Sequence, residues 1–135
     1  MERVKERLAM AYQALATLKK VVGTKNVSDI RRDAAIQRFE YTFEATWKAA
    51  QAYHREMESL EIASPKGIIR ASYRSGLLDE EHAREAMEMA DDRNRTVHLY
   101  NEALAIAIYG RLKGYVNVIE TWLRAMENSP VDLEN

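Results

Sequence analysis

One polar cluster contains the residue types that could act on a phosphodiester. It covers residues 91–100 and has Arg93, then His98 five residues later, then Tyr100. An arginine stays protonated and binds two phosphate oxygens at once, and a histidine titrates near neutrality. This combination suits the stabilisation of phosphate charge and the transfer of protons, with a phenol close by.

The same cluster also has a purely structural interpretation, because an Arg-x4-His spacing alone is a weak signal. Asp91, Asp92, Asn94 and Thr96 are residue types that cap helices, and Arg93 and Arg95 could pair with the aspartates. On one continuous helix, positions 93 and 98 would point about 140° apart. A turn between them would let Arg93 and His98 face one cleft, and the capping residues favour such a turn.

The elements that must position this cluster are helices. The chain has 135 residues, 47% of them hydrophobic and 30% charged, which is typical of one globular domain over residues 1–135. Only 5 glycines and 2 prolines interrupt it, and Val, Ile and Thr never alternate as in strands. An all-α fold is expected.

Apolar residues recur at three- and four-residue spacing in most of these segments. Ser64-Pro65 is a helix start signal, and Gly23 and Gly76 are placed to end helices. We expect an up-and-down four-helix bundle with an extra short helix, and a frayed tail over residues 128–135. The predicted helices cover about 2–22, 29–57, 65–75, 79–91 and 96–127.

The fifth segment carries two stripes. Its main stripe is apolar, whereas a second contains only small residues, including Gly110 and Gly114. Each glycine inside a helix costs about 1 kcal/mol relative to alanine, which close approach of another backbone would offset. Residues 97–109 are apolar on nearly every side, so they need cover on both sides. A two-fold homodimer is expected; a fully internal helix within a monomer is the alternative.

Composition excludes several classes of protein. A net charge of −1 argues against bulk electrostatic coating of nucleic acid. With no cysteine, neither a disulfide framework nor a thiolate metal site is possible. No run reaches membrane-spanning length, and a cytoplasmic protein is expected. Glu40 and Glu44 are neighbours on a helix, but we expect Arg38 and Lys48 to balance them, with no metal.

The remaining two histidines, His54 and His82, fall on faces that we interpret as polar and solvated. No Ser-His-Asp spacing or glycine-rich phosphate loop is visible.

The stretch Arg93-Asn94-Arg95-Thr96-Val97-His98-Leu99-Tyr100 resembles the Arg-x4-His-x-Tyr signature of HepT-like proteins. These are the nucleotidyltransferase substrate-binding branch of the HEPN superfamily. Residues 32–48 look like the second-helix block of this family, and Ser64-Pro65 and residues 73–79 look like its connecting region. The resemblance extends over about residues 5–125.

The resemblance implies a dimeric helical bundle with the motif at the dimer cleft. It implies metal-independent RNA cleavage by toxin members, without a cofactor. It also implies an antitoxin partner, a minimal nucleotidyltransferase that transfers AMP from ATP onto the motif tyrosine. By position, Arg93 and His98 match the catalytic pair, Asn94 the polar residue after the arginine, and Tyr100 the modified phenol.

Three functions therefore stay open. The chain is a ribonuclease toxin, a non-catalytic subunit that binds a nucleotide or substrate for the transferase, or an assembly protein whose polar cluster is a turn. For Tyr100, the alternative to modification is a core aromatic four residues before Leu104.

Overall fold

The structure, a computed structural model, describes residues 2–129. Within them are five α-helices and no strand. Four long helices run up and down around one core, and a short third helix packs on the second and fourth. The predicted all-α bundle is confirmed. The helices are α1 (Glu2–Lys19), α2 (Asp29–Glu58), α3 (Pro65–Arg74), α4 (Glu80–His98) and α5 (Glu102–Glu127).

Polar caps fix where these helices begin. The hydroxyl oxygens of Ser28 and Ser64 each accept the backbone N–H three residues later, at 3.1 Å, and Asp79 does the same for α4 at 2.8 Å. Pro65 follows its cap at the first helical position, where its missing N–H costs nothing. Gly76 follows α3 at φ +86°, a left-handed conformation that favours glycine.

The core is formed by aromatic and branched side chains from the long helices. Phe39 and Tyr115 stack with ring centroids 5.5 Å apart and join α2 to α5. Phe43 and Trp122 are 0% exposed, and full burial of one such side chain stabilises the fold by about 1.5–3 kcal/mol. The three- and four-residue apolar spacing of α2 marks its buried face, which contains Ile36, Phe39, Phe43, Trp47 and Ala50.

The predicted boundary between the fourth and fifth helices is wrong. α4 does not end near Asp91 but continues to His98, and α5 begins at Glu102 rather than near 96. The polar residues that we interpreted as caps lie inside α4, where Asp91, Asp92 and Thr96 contact side chains of other helices. The cap of α5 is Asn101, whose side-chain oxygen accepts the N–H three residues later at 2.8 Å.

His54 is also different from expectation, because it is fully buried rather than solvated. Its Nδ1 lies 2.7 Å from Glu58 Oε1, and its Nε2 lies 3.0 Å from the Ser72 hydroxyl. That hydroxyl accepts the indole N–H of Trp122 at 3.1 Å. A carboxylate, an imidazole and a serine hydroxyl bonded in this order resemble the catalytic triad of a hydrolase, but the serine is fully buried. These hydrogen bonds therefore connect α3 to α2 and α5. His82 is partly exposed and contacts the cap residue of α4.

The outer face of α5 is open. Small residues including Ala103, Ala107, Gly110 and Gly114 are exposed along it. A side-chain carbon added at either glycine would meet nothing within 4 Å. This face is therefore accessible to the backbone of another chain.

At the end of the described chain, the Tyr53 hydroxyl donates to Ser129 Oγ at 2.7 Å. The rest of the tail predicted to be frayed, residues 130–135, lies outside the described residues. Between residues 2 and 129, no helix has the length and hydrophobicity needed to cross a bilayer.

Candidate functional site

Arg93 lies on α4 and faces α2. Its guanidinium carbon is 5.7 Å from the centroid of the Phe43 ring, and Nη2 is 3.7 Å from Glu44 Oε1. The side chain is 26% exposed. Its Nε is buried and has no hydrogen-bond partner among residues 2–129. The guanidinium is thus held in place from one side, while part of the side chain stays exposed to solvent.

A cleft of about 290 Å³ opens beside Arg93, between the start of α3 and the middle of α4. Asn94, the next residue in the chain, also lines it. Lys66 adds a second cation, although its Nζ is 2.6 Å from Asp91 Oδ1. Two cations and an amide at one opening suit an anionic group such as phosphate. The lining residues are Ser64, Pro65, Lys66, Ala90, Arg93 and Asn94.

His98 is not brought into this cleft within one copy of the chain. It is the last residue of α4 and is exposed. Because α4 is continuous, the predicted turn between Arg93 and His98 is wrong. Their side chains leave the helix about 140° apart and about 7.5 Å apart along the axis. Exposed Val97 and Leu99, each 63% accessible, flank the histidine.

Tyr100 lies in the connection between α4 and α5, not in the core. Its side chain is 47% exposed, so the core-aromatic alternative is wrong. Its hydroxyl donates to Asp33 Oδ1 on α2 at 2.5 Å. Partial burial, this hydrogen bond and the charge of Asp33 together raise the pKa of Tyr100 to about 12.

Tyr100 opens onto a second cleft of about 200 Å³ between the start of α2 and the start of α5. Arg32 lines this cleft and is only 8% exposed. Its Nη2 is 2.9 Å from Asp29 Oδ1 and 3.7 Å from Glu102 Oε2. Its Nε is buried and has no hydrogen-bond partner in the described part of the chain. The cleft thus places a guanidinium, a carboxylate and a phenol together.

A buried ionic cluster holds the motif segment of α4 against α5. Asp92 is 0% exposed and accepts two hydrogen bonds from Arg111, both at 2.9 Å. Arg95 and the Tyr115 hydroxyl each donate to it at 2.5 Å. Burial alone would raise the pKa of Asp92, but these hydrogen bonds outweigh it and lower that pKa. Arg93 follows Asp92 directly, so this cluster fixes its position.

The two carboxylates on α2 are engaged by neighbouring side chains. Glu44 accepts the indole N–H of Trp47 at 3.1 Å and pairs with Lys48 at 3.2 Å, as expected for that lysine. Glu40 instead accepts a hydrogen bond from the hydroxyl of Thr96, and Arg38 is bonded elsewhere, to a backbone carbonyl of α1. Among residues 2–129, no group of three or more His, Cys, Asp or Glu could hold a metal ion.

Sequence reasoning missed the residues that neighbour the motif from other helices. Asp33 and Tyr100 are 67 positions apart in the chain. Lys66 lies on α3, whose start and end the sequence predicts without indicating its neighbours. No spacing rule connects such pairs. Asp92 was assigned to a cap, because a buried aspartate and a capping aspartate look alike in sequence.

The fold and the site together define an all-α helical bundle with an Arg-x4-His-x-Tyr segment at the end of its fourth helix. The chain belongs to the family described as nucleotidyltransferase substrate-binding protein like. The model of this family matches residues 6–128. The resemblance to the HepT-like branch is therefore confirmed. No curated protein matches the chain.

Solved structures share this fold. A crystal structure of a Thermus thermophilus protein is 58% identical, with a TM-score of 0.82 over 85% of this chain and 98% of that one. A tri-AMPylated HEPN toxin of Shewanella oneidensis in complex with an MNT antitoxin is 16% identical, with a TM-score of 0.77 over 92% and 96%. A mutant of the toxin–antitoxin MntA–HpeT is 15% identical, with a TM-score of 0.77 over 94% and 98%.

Proposed function

We propose that this protein is a HepT-like toxin that cleaves RNA without a metal ion and is inhibited by AMP transfer onto Tyr100. The cognate partner is a minimal nucleotidyltransferase that acts as antitoxin, and both proteins work in the cytoplasm. The observation that carries the proposal is Arg93, whose guanidinium lines an open cleft and whose Nε has no hydrogen-bond partner in the described residues.

The active site is formed between two copies of the chain. Within one copy Arg93 and His98 diverge, so a second copy must supply the complementary residue. Two features support such a homodimer. The apolar side chains that flank His98 are exposed, as is Ile106 at 54%, and the small-residue face of α5 is open to another backbone. A two-fold axis near His98 then brings both motifs to one cleft.

In the proposed reaction, the 2′-hydroxyl of RNA attacks its own phosphate. His98 of one copy takes the proton of that hydroxyl, and His98 of the second copy protonates the leaving 5′-oxygen. Arg93 stabilises the charge on the phosphorane-like transition state, and Asn94 orients the phosphate. The bond between O2′ and phosphorus forms and the bond to O5′ breaks. The products are a 2′,3′-cyclic phosphate and a 5′-hydroxyl.

Tyr100 controls this reaction through its position two residues after His98. AMP attached to its hydroxyl adds bulk and negative charge beside the RNA path, and it repels the RNA backbone. The exposure of Tyr100 supports this role, because a transferase must reach the phenol to modify it.

The nuclease activity is tested with purified protein and a fluorescent RNA, with and without EDTA. We expect His98→Ala to slow cleavage by at least about 100-fold and Arg93→Ala by about 100- to 1,000-fold. Arg84→Ala is the matched control, since its side chain is also on α4, is 71% exposed and pairs only with Glu80 in the described residues. Cleavage that EDTA abolishes, or that survives in His98→Ala, would contradict the proposal.

The modification is tested by intact mass measurement after incubation with ATP, magnesium and the transferase. Wild type should gain at least one AMP unit and lose its ribonuclease activity. Tyr100→Phe should gain none and remain active in the presence of the transferase. AMP attached to Tyr100→Phe at the wild-type rate would show that another residue is the acceptor.

A second candidate is a non-catalytic subunit that binds a nucleotide or substrate for the transferase. The divergence of Arg93 and His98 within one copy favours it, because a binding role needs only the Arg93 cleft. In that case RNA stays intact with wild type, while a nucleotide raises the melting temperature of wild type and not of Arg93→Ala.

A further inference from the structure

The hydroxyl of Tyr100 is already hydrogen-bonded to a carboxylate of its own chain. Asp33 Oδ1 lies 2.5 Å from the phenol oxygen, and Asp33 itself is exposed on the first turns of α2. A neutral phenol is a poor nucleophile, and with its pKa raised to about 12 very little phenolate exists at neutral pH. Transfer to Tyr100 therefore needs a group that accepts the phenol proton as the new bond forms.

We propose that Asp33 is the catalytic base for AMP transfer onto Tyr100, an inference that rests on the proposed function of that tyrosine. The Tyr100 oxygen attacks the α-phosphorus of ATP, and the bond from phosphorus to the pyrophosphate oxygen breaks. The phenol proton passes to Asp33, and pyrophosphate leaves with its magnesium. An aspartate that accepts the substrate hydroxyl proton does the same work in protein kinases.

The charges around the Tyr100 hydroxyl are mixed: Arg32 lines the cleft together with three carboxylates. Asp33 alone would oppose an incoming anion, but Arg32 lines the same cleft, and its buried Nε has no partner among residues 2–129. Its guanidinium offsets part of this negative charge, and the magnesium that accompanies ATP has to offset the rest. Asp29 and Glu102 are the other charged groups lining the cleft, and Glu40 acts on the phenol only through its charge.

This chain, and not only the transferase, then takes part in the transfer of AMP. The acceptor protein carries both the nucleophile and its base, held together by the contact between the α4–α5 connection and α2. The transferase then has to supply ATP, magnesium and alignment.

The test measures the initial rate of AMP incorporation into full-length protein by the transferase, at saturating ATP and magnesium, from pH 6 to pH 9. Asp33→Asn should react about 100-fold more slowly than wild type near pH 7. In wild type Asp33 can accept the phenol proton directly, whereas the variant must react through phenolate, which increases tenfold per pH unit. The ratio of the two rates should therefore shrink steeply as the pH rises, and any titration of the transferase cancels in it.

Two further variants separate proton transfer from charge and shape. Asp29→Asn removes the same charge from the same cleft without touching Tyr100 and should keep the wild-type pH dependence. Asp33→Glu retains a carboxylate and should recover part of the rate together with the wild-type pH dependence. Thermal unfolding of each variant checks that the fold is intact.

The outcomes for the two proposals differ. Wild type that accepts no AMP would overturn both the control by Tyr100 and the role of Asp33. Wild type that is modified at Tyr100 while Asp33→Asn reacts equally fast, or slower by a factor that does not change with pH, would overturn only the role of Asp33.

Discussion

The ionic cluster around Asp92 makes a quantitative prediction about stability. Asp92→Asn keeps the shape of the side chain but removes the charge that accepts four hydrogen bonds, two from Arg111 and one each from Arg95 and Tyr115. Breaking a fully buried ion pair costs about 3–5 kcal/mol. Here Arg111 is 34% exposed and Arg95 is 51% exposed, so water replaces part of the hydrogen bonding that they lose. The Tyr115 hydroxyl is buried and has no such replacement.

We therefore expect Asp92→Asn to lower the free energy of unfolding by about 3 kcal/mol at pH 7, or roughly 10 °C in melting temperature. The pH dependence follows from the lowered pKa of Asp92 in the folded state. A depressed pKa contributes stability that is complete above the ordinary aspartate pKa and is lost as the pH falls through the folded value. The difference between wild type and variant should thus stay constant near neutrality and narrow below about pH 4.

The measurement is urea unfolding at fixed protein concentration, from pH 7 down to pH 3. Asp91→Asn is the matched control: the adjacent aspartate is 41% exposed and pairs with Lys66, an exposed contact worth about 0–1 kcal/mol. Equal losses in the two variants, or a loss for Asp92→Asn below about 0.5 kcal/mol, would refute the view that this cluster holds α4 in place. A ribonuclease assay on the folded variant should also show reduced activity, since Arg93 is the next residue.

Two more predictions concern the open face of α5 and the buried histidine. Gly110→Ala should stabilise an isolated subunit by about 1 kcal/mol but weaken self-association, because the added methyl occupies space now open to a second copy. Sedimentation at several protein concentrations measures the association, and thermal unfolding measures the stability. Unchanged association would argue against a close contact at Gly110. Ser72→Ala should cost about 1–3 kcal/mol, because His54 and Trp122 both lose their buried partner; a loss no larger than that of an exposed serine would show that these bonds contribute little.

The bundle was predictable from sequence because its signals are local and repeated. Ser64-Pro65 and the three- and four-residue spacing of α2 each report on a few neighbouring residues, and both were correct. The burial of His54 has the same kind of local signal, although we interpreted this residue as solvated. It follows Ala50 by four residues and Trp47 by seven, so it continues the buried stripe that those two residues mark.

The polar segment was the hard part. Asp91, Asn94 and Thr96 favour caps by local preference, but α4 continues through them because Asp92 is satisfied by α5 and Thr96 by α2. Such tertiary compensation has no local signature. The candidate site was therefore found by its residue types, while its geometry and its neighbours on α2 and α3 required the structure.

The short connection between α4 and α5 affects how AMP attached to Tyr100 would act on the rest of the motif. Only residues 99–101 join the two helices, and a chain of three residues reaches at most about 10 Å. A nucleotide on the phenol replaces the proton that bonds to Asp33, so this short connection would lose its hydrogen bond to α2. His98 ends the helix next to it, so one chemical event would both obstruct the groove and loosen the segment that carries the imidazole.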